Sequence, residues 1–158
     1  MLEKEKYENR KWWIDQHRKM WSSLARKVQM TRITNIDAIK KDYLSSIYGY
    51  NIPIYGCCYC CEYAQYVNEV LICHGWEAEH NCGWCPIAWK NGCCFGGEYD
   101  ELFFTDNYSY IASMCRTIAN LPETPEPKFL IQSGEILTMN DIVKLHNRGK
   151  EFEIIRRV

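Results

Sequence analysis

Hydrophobic side chains recur every three or four residues through the first 50 positions, a spacing typical of amphipathic helices. In residues 3–29 charged side chains fill the positions between them, so we predict one long helix there. The stripe consists of Tyr7, Trp13, His17, Trp21, Leu24 and Val28. Its aromatic rings are expected to form part of a core rather than a surface for ligands.

A second helical stripe follows the break at "TRITNID". Thr34 and Asp37 have the spacing of a capping box, and Gly49 is suited to end the helix. The stripe consists of Ile36, Ile39, Tyr43, Leu44 and Ile47. Residues 1–50 are therefore predicted to be a helical segment.

The pattern changes in the centre of the chain. Residues 61–73, "CEYAQYVNEVLIC", predict a short helix, whereas residues 74–98 are rich in Gly, Trp and Asn and predict irregular structure. A further helix is expected in "NYSYIASMCRTIAN", with Thr105 or Asp106 as its cap and Pro122 after its end.

The C-terminal part predicts strands around a helix. Residues 128–132 and 151–158 are typical of strands, and a helix between them is expected to begin at Thr138 and Asp141 and to end before Gly149. The fold class is thus α+β, with N-terminal helices, a central zinc knot and a C-terminal strand–helix–strand unit. We expect one domain over 1–158, divided into a helical segment (1–50), a zinc-binding segment (51–104) and a helix with a small α/β tail (105–158).

Composition narrows the class of protein. Hydrophobic residues make up 47% and aromatic residues 14% of the 158 residues, which is typical of a globular chain. The first residues are charged and lack the apolar region of a signal peptide, and no apolar run is long enough for a membrane span. We therefore expect a soluble, cytoplasmic protein, and in a reducing cytosol ten cysteines indicate metal binding rather than disulfides.

The cysteine spacing predicts one structural zinc ion. "CGWC" supplies Cys82 and Cys85, and the cluster "CCYCC" supplies two overlapping pairs, Cys57 with Cys60 and Cys58 with Cys61. The second register gives C-x2-C-x20-C-x2-C, nearer the usual zinc spacing, and it places Cys61 at the N-terminus of a helix, where a thiolate is favoured. The predicted ligands are Cys58, Cys61, Cys82 and Cys85.

The other cysteines leave alternatives open. Cys57 and Cys60 are expected to face the core, and Cys73 and Cys115 fall on helical stripes as packing residues. Cys93 or Cys94 could replace one of the chosen ligands or complete a second site with His74 or His80.

The sequence lacks the patterns of the common catalytic sites. The order H-x-E followed by P-C-x-x-C of zinc deaminases is absent, and two complete cysteine pairs would leave zinc no open position for water. Gly-rich phosphate loops are absent too, and nothing local supports a nucleophile such as Cys73 with His146. We expect a protein that is not an enzyme.

Charge is unevenly distributed along the chain. Residues 1–50 have a net charge of +5, residues 51–110 of −7 and residues 111–158 of +1. The acidic part is also the cysteine-rich part, and four zinc-bound thiolates would add about two more negative charges there. Chance segregation of surface charge explains such a pattern as readily as an acidic patch that meets a basic partner.

Two short motifs in the cysteine region resemble those of small phage and prophage proteins. The pattern C-x-x-C-E-Y-A matches Cys58, Cys61, Glu62, Tyr63 and Ala64, and C-x-x-C-P-I-x-W matches Cys82, Cys85, Pro86, Ile87 and Trp89. A further cysteine, Cys93 or Cys94, follows. The resemblance covers residues 58–94 and implies a zinc knot in a phage-encoded protein, located in the cytoplasm of the bacterial host.

As a whole, the chain resembles a zinc-containing anti-CRISPR protein of the type II-A group. Such proteins bind and inhibit the RNA-guided DNA endonuclease, which would make this chain a stoichiometric inhibitor that hinders guide or target loading. The nuclease has strongly basic nucleic-acid channels. The partner-binding residues expected on this basis are Glu77, Glu79, Glu98, Asp100 and Glu101.

Two other functions stay open. In a nucleic-acid-binding zinc module, the cations of the first helix would contact phosphates beside Trp12, Trp13 and Trp21. Those cations are Arg10, Lys11, Arg18, Lys19, Arg26 and Lys27. The acidic cysteine region disfavours direct nucleic-acid binding. The third possibility is a phage accessory protein that binds another host protein.

Overall fold

The computed structural model describes residues 1–158 apart from the side chain of Cys57. Five α-helices and one three-stranded antiparallel sheet make up the regular structure of this described chain, so the α+β prediction is confirmed. Short 3₁₀ turns fill much of the cysteine-rich centre.

The first predicted helix is interrupted near its start. A 3₁₀ helix spans Lys4–Glu8, and α1 spans Arg10–Thr31. Asn9 separates them because its side chain accepts a hydrogen bond from the backbone N–H of Trp12 at 3.1 Å, which caps α1. The predicted stripe is correct, since all six of its members are buried.

Helix α2 spans Ile36–Tyr48 and ends at Gly49, as predicted. Its cap is Asn35, whose side chain accepts from the N–H of Ala38, so the predicted capping box of Thr34 and Asp37 is wrong. The Asp37 carboxylate instead accepts from the hydroxyl of Tyr99 at 2.7 Å. The predicted buried stripe is also wrong at Ile47, whose side chain is 50% exposed.

Helix α3 spans Tyr59–Cys73 and begins two residues before its predicted start. Helix α4 spans Tyr108–Ala119 and is capped by Asn107, which corrects the expectation of Thr105 or Asp106. Both helices pack against α1. Buried apolar residues from these helices and from the sheet form one hydrophobic cluster.

The sheet lies at the C-terminal end of the chain. Strand β1 spans Lys128–Ile131, β2 spans Ile136–Thr138 and β3 spans Ile154–Arg157, in the order β2-β1-β3. Helix α5, Met139–Asn147, lies between β2 and β3 in the chain and has the predicted capping box of Thr138 and Asp141. The short strand β2, which follows a turn at Gly134, was not predicted.

Candidate metal centre

Helix α3 begins inside the cysteine cluster. Cys58 is its N-cap residue, with extended backbone, while Cys60 and Cys61 lie in its first turn. The preceding turn requires a positive φ of 57° at Gly56, which a glycine adopts without strain. Cys60 faces the core and is fully buried, as predicted, whereas Cys58 and Cys61 are half-buried. The same prediction for Cys57 concerns a side chain outside the described part of the chain.

The remaining cysteines of the centre lie on the irregular segment after α3. Cys82 belongs to a 3₁₀ turn, Asn81–Trp84, that Cys85 directly follows. Cys93 and Cys94 come after a second turn, Lys90–Gly92. Outside the centre, Cys115 is buried as predicted, but Cys73 is exposed and the prediction of packing there is wrong.

Five thiols form a continuous row, which we call the thiol row: Cys58, Cys61, Cys94, Cys93 and Cys82. Cys61 hydrogen-bonds to both Cys58 and Cys94. At the other end the Sγ atoms of Cys82 and Cys93 are 2.8 Å apart. The row joins the start of α3 to both cysteine turns of the irregular segment, and all five thiols are free.

Negative charge concentrates at two members of the row. The hydrogen bond from Cys61 holds the pKa of Cys58 well below its usual value, and the His17 ring lowers that pKa further. A hydrogen bond from Cys61 likewise lowers the pKa of Cys94 to about 7. Hydrogen bonding with Cys58 and, to a smaller extent, with Cys94 raises the pKa of Cys61 itself. Cys58 and Cys94 are therefore the thiols most ready to ionise, and a thiolate is the form that binds metal.

Cys60 and Cys85 form a separate pair behind the row. Both are buried. Burial raises the pKa of Cys60 well above its usual value, and a hydrogen bond with Cys85 raises it further. The Cys60 thiol also lies 3.9 Å from the backbone oxygen of Trp13 in α1. These contacts are those of packing residues.

Three of the four predicted zinc ligands, Cys58, Cys61 and Cys82, belong to the thiol row, and Cys61, Cys82 and Cys85 line one cavity of about 170 Å³ together with Cys94. Cys58 and Cys61 are in contact, whereas Cys82 is beside Cys93 and Cys85 is beside Cys60. Among the described side chains, no group of three or more His, Cys, Asp or Glu residues has the geometry to hold a metal ion as it stands. A zinc ion bound by all four predicted cysteines stays a prediction.

His17 lies at one end of the thiol row and was expected only as a core residue. It is 0% exposed, and its Nε2 atom is 3.2 Å from the carbonyl oxygen of Ile118 in α4. Because a carbonyl only accepts, Nε2 donates its proton to this oxygen. Nδ1 has no hydrogen-bond partner among the described residues, although the ring lies beside Cys58.

A small cavity of about 220 Å³ adjoins the same thiols. Cys58, Cys61 and Cys94 line it together with Trp21 and Lys40. Lys40 is only 4% exposed; its ammonium donates to the Tyr99 hydroxyl at 2.9 Å and lies 3.7 Å from the Asp37 carboxylate. A buried ammonium beside three thiols favours negative charge on them.

Hydrogen bonds of Glu62 and Thr124 hold the segments around the cysteines in place. Glu62 is 8% exposed and accepts hydrogen bonds from the hydroxyl of Tyr7 and the backbone N–H of Tyr55, which fixes the loop before α3. Thr124 donates to the carbonyl of Cys85 at 2.9 Å and accepts from the buried Arg10 at 2.8 Å. Glu62 and the segment after Cys85 therefore have structural roles.

The five expected partner-binding residues lie in two places. Glu77 and Glu79 follow α3 and are exposed. Glu98, Asp100 and Glu101 are half-buried and hold the loop after the cysteines, since they accept hydrogen bonds from Lys90 N–H, Gly96 N–H and the Tyr110 hydroxyl at 3.1, 2.6 and 2.7 Å.

Comparisons with protein-family models, with curated proteins and with solved structures found no match to this chain. The resemblance to phage inhibitors therefore stays a hypothesis. In the described part of the chain, no helix combines the length and the hydrophobicity needed to cross a bilayer.

Proposed function

We propose that this protein is a non-enzymatic, stoichiometric inhibitor that binds the basic surface of a type II CRISPR RNA-guided endonuclease and hinders nucleic-acid loading. A surface beside the thiol row carries this proposal; its aromatic side chains and Asp106 are exposed, and its other carboxylates are half-buried. We call it the aromatic–acidic surface; it consists of Phe95, Phe103, Phe104 and Tyr110 with Glu98, Asp100, Glu101 and Asp106.

The aromatic rings of this surface are unusually exposed. Phe104 is 84%, Phe95 is 70% and Phe103 is 54% exposed. Phe95 and Phe103 both pack on Tyr99, whose ring centroid is 5.9 Å from that of Phe95 and 5.2 Å from that of Phe103, and Phe104 lines a shallow pocket with Tyr110. Contiguous exposed aromatic rings are a feature of protein-binding surfaces, where such residues provide most of the binding energy.

Charge favours a basic partner. Residues 51–110 contain one cation, Lys90, and eight carboxylates. The nucleic-acid channel of an RNA-guided nuclease is positively charged, so the two surfaces are complementary. Many proteins have basic surfaces. The resemblance noted in the sequence is the reason for proposing this nuclease in particular.

A structural zinc ion is part of the proposal. Thiols are preferred zinc ligands, and the thiol row brings five of them to the base of the loop that presents Phe95. An ion bound there would fix this loop before the partner binds, which lowers the entropy lost on association.

Partner binding is best tested by changing side chains that make no hydrogen bond to the loop after the cysteines. Phe104→Ala removes the most exposed ring, and we expect it to weaken binding to the purified nuclease by about tenfold or more. Asp106→Lys reverses an exposed charge and should both weaken binding and reduce its dependence on salt. Affinity and inhibition of target-DNA cleavage would be measured at two salt concentrations.

A matched control is Ile155→Ala, which removes an apolar side chain that is 52% exposed on β3. It should bind like the wild type. If Phe104→Ala and Asp106→Lys also bind and inhibit like the wild type, or if the wild type does not bind the nuclease, the proposed function is wrong.

Burial weakens the case for the nucleic-acid-binding alternative. Trp13 and Trp21 are 0% and 1% exposed and cannot stack on bases, and the Arg10 guanidinium is engaged with Thr124. A gel shift with mixed DNA and RNA at low salt tests this alternative directly. A shift that is lost on adding salt would favour it over protein binding.

A further inference from the structure

We propose that Cys82 and Cys93 are an oxidation-sensitive pair, which a peroxide converts into a disulfide and a dithiol reductant restores. This modification goes beyond the proposed function and needs neither the nuclease nor a bound metal. In the expected reducing cytosol, such a disulfide is transient and serves redox sensing rather than structure. The contact between the two sulfur atoms assigns the pair.

The two thiols already lie within reach of a covalent bond. Their Sγ atoms are 2.8 Å apart, and an S–S bond is about 2.05 Å long, so bond formation requires an approach of less than about 1 Å. Cys82 lies in a 3₁₀ turn and Cys93 directly follows another, so neither belongs to an α-helix or a strand. Gly83 and Gly92 flank them on the inner side of the loop, where the backbone can adapt to the bond.

The other cysteines nearby are less suitable partners. Cys85 has the C-x-x-C spacing with Cys82 that many redox motifs use, but it is 7% exposed and its thiol hydrogen-bonds with Cys60. Cys94 is only 9% exposed. Cys82 and Cys93 are both half-buried, so an oxidant from solvent has better access to them.

The oxidation proceeds in two balanced steps. The thiolate of one cysteine attacks a peroxide oxygen: a sulfur–oxygen bond forms, the O–O bond breaks, and the departing oxygen takes up a proton. The sulfur of the second cysteine then attacks the resulting sulfenic acid, so that the S–S bond forms and the hydroxyl group leaves with a proton as water. With hydrogen peroxide, two thiols give one disulfide and two water molecules, and the two electrons lost by sulfur reduce the peroxide.

The disulfide would change the segment that leads to the aromatic–acidic surface. It would close a ring over residues 82–93, directly before Phe95, and so restrict this irregular part of the chain. It would also remove two thiols from the thiol row, because a sulfur atom in a disulfide is no longer a thiolate ligand.

The first test treats the full-length, reduced protein with hydrogen peroxide, with and without a chelator, and blocks the remaining thiols with N-ethylmaleimide. Trypsin with a glutamate-specific protease cuts after Glu79, Lys90 and Glu98 and separates peptide 80–90 from peptide 91–98. We expect mass spectrometry to find these two peptides joined by a disulfide. Dithiothreitol should separate them again.

The second test assigns the two sulfur atoms. Cys82→Ser and Cys93→Ser should each lower the yield of joined peptides at least about tenfold, because the remaining thiol has lost the partner in contact with it. At least one of these variants should accumulate a sulfenic acid that dimedone traps. Cys85→Ser and Cys94→Ser are the matched controls and should keep the wild-type yield. Circular dichroism verifies that each variant is folded.

The unmodified protein keeps the test valid if a variant does not fold, since fragmentation of the joined peptides identifies the bonded cysteines directly. A bond between Cys82 and Cys85, or wild-type yield in folded Cys93→Ser, would overturn the proposal. So would the absence of joined peptides, in both the presence and the absence of chelator, at peroxide concentrations that oxidise the urea-unfolded chain. These readouts concern the covalent state of the chain alone, so they are unaffected by whether the nuclease is the partner.

Discussion

At the scale of single residues, the loop around Cys94 depends on the absence of a side chain at position 97. A Cβ atom built on Gly97 would lie 2.8 Å from the backbone oxygens of both Cys93 and Lys90. Backbone atoms cannot move aside as the end of a flexible side chain can. Gly97 therefore permits the close turn that brings Cys94 toward Cys61.

We predict that Gly97→Ala destabilises the folded protein by roughly 1–3 kcal/mol, as expected for overpacking against fixed atoms. Gly83→Ala is the matched control, because its added Cβ would meet the flexible end of Glu79 at 3.4 Å, an ordinary contact. Urea unfolding of both variants measures the effect. Equal stability of the two would show that the loop can adapt to a side chain at position 97.

Single residues also show where prediction from the sequence reached its limit. The buried stripe of α1 was predictable because it depends only on helical spacing, but the same spacing made His17 look like a core residue. Its hydrogen bond to the carbonyl of Ile118, 101 residues away in the chain, does not follow from that spacing. Likewise, the contact of Cys94 with Cys61 depends on the loop around Gly97, which residue spacing does not describe.

At the scale of elements, helix positions were predictable and their exact starts were not. Asn35 and Thr34 are both suitable caps, and only the backbone geometry assigns the role to Asn35. The prediction of a capping box at the start of α5 was correct, because both of its hydrogen bonds between Thr138 and Asp141 are formed. Strand β2 is only three residues long, too short for an alternating pattern to predict.

A pair of histidines joins the end of α3 to α5 and the C-terminal segment. The Nδ1 atom of His74 donates to the carbonyl of Phe152 at 3.0 Å, which leaves its Nε2 to accept from Nδ1 of His146 at 3.0 Å. Protonation of His74 would remove the acceptor of this hydrogen bond. Burial, the His74 ring and Lys4 lower the pKa of His146 below its ordinary value of 6.5.

We predict that stability falls as the pH is lowered through about 6.5, because His146 then takes up a proton in the unfolded chain before it does so in the folded one. The decline continues until the pH reaches the lowered pKa of the folded state. His146→Gln keeps an N–H donor for His74 but does not titrate, so it should reduce the slope of unfolding free energy against pH between 7.5 and 5.5.

The matched control for this experiment is His80→Gln, at a histidine that is exposed. It should keep the wild-type slope. Urea unfolding at several pH values measures all three proteins. A His146→Gln slope identical to that of the wild type would show that the pair does not couple to folding.

At the scale of the whole molecule, regular structure is unevenly distributed. The helices and the sheet lie before residue 74 and after residue 107, and the segment between contains only short turns. Its aromatic–acidic surface is nevertheless the part proposed to meet a partner. Such a segment has few long-range backbone hydrogen bonds, so its order depends on side-chain contacts, among them the thiol row.

We predict that removal of zinc with a strong chelator under reducing conditions loosens this segment selectively. Amide hydrogen exchange should increase most in residues 92–104 and in the first turn of α3, because these parts meet at the thiol row, where Cys94, Cys58 and Cys61 line one cavity. Strands β1 and β3 pair through backbone hydrogen bonds and should change little. The same treatment of the Cys58→Ser/Cys94→Ser double variant, which lacks two thiols of the thiol row, should cause no further change.

A uniform rise in exchange over the whole chain would show that the ion supports the entire core, and the absence of any rise would exclude a structural metal.

A selective rise has a consequence for function. If the metal orders only the segment that bears Phe95, Phe103 and Phe104, then chelation should weaken partner binding while the helices and the sheet stay folded. The metal would then act through the surface that it organises, by reducing the entropy lost when that surface binds.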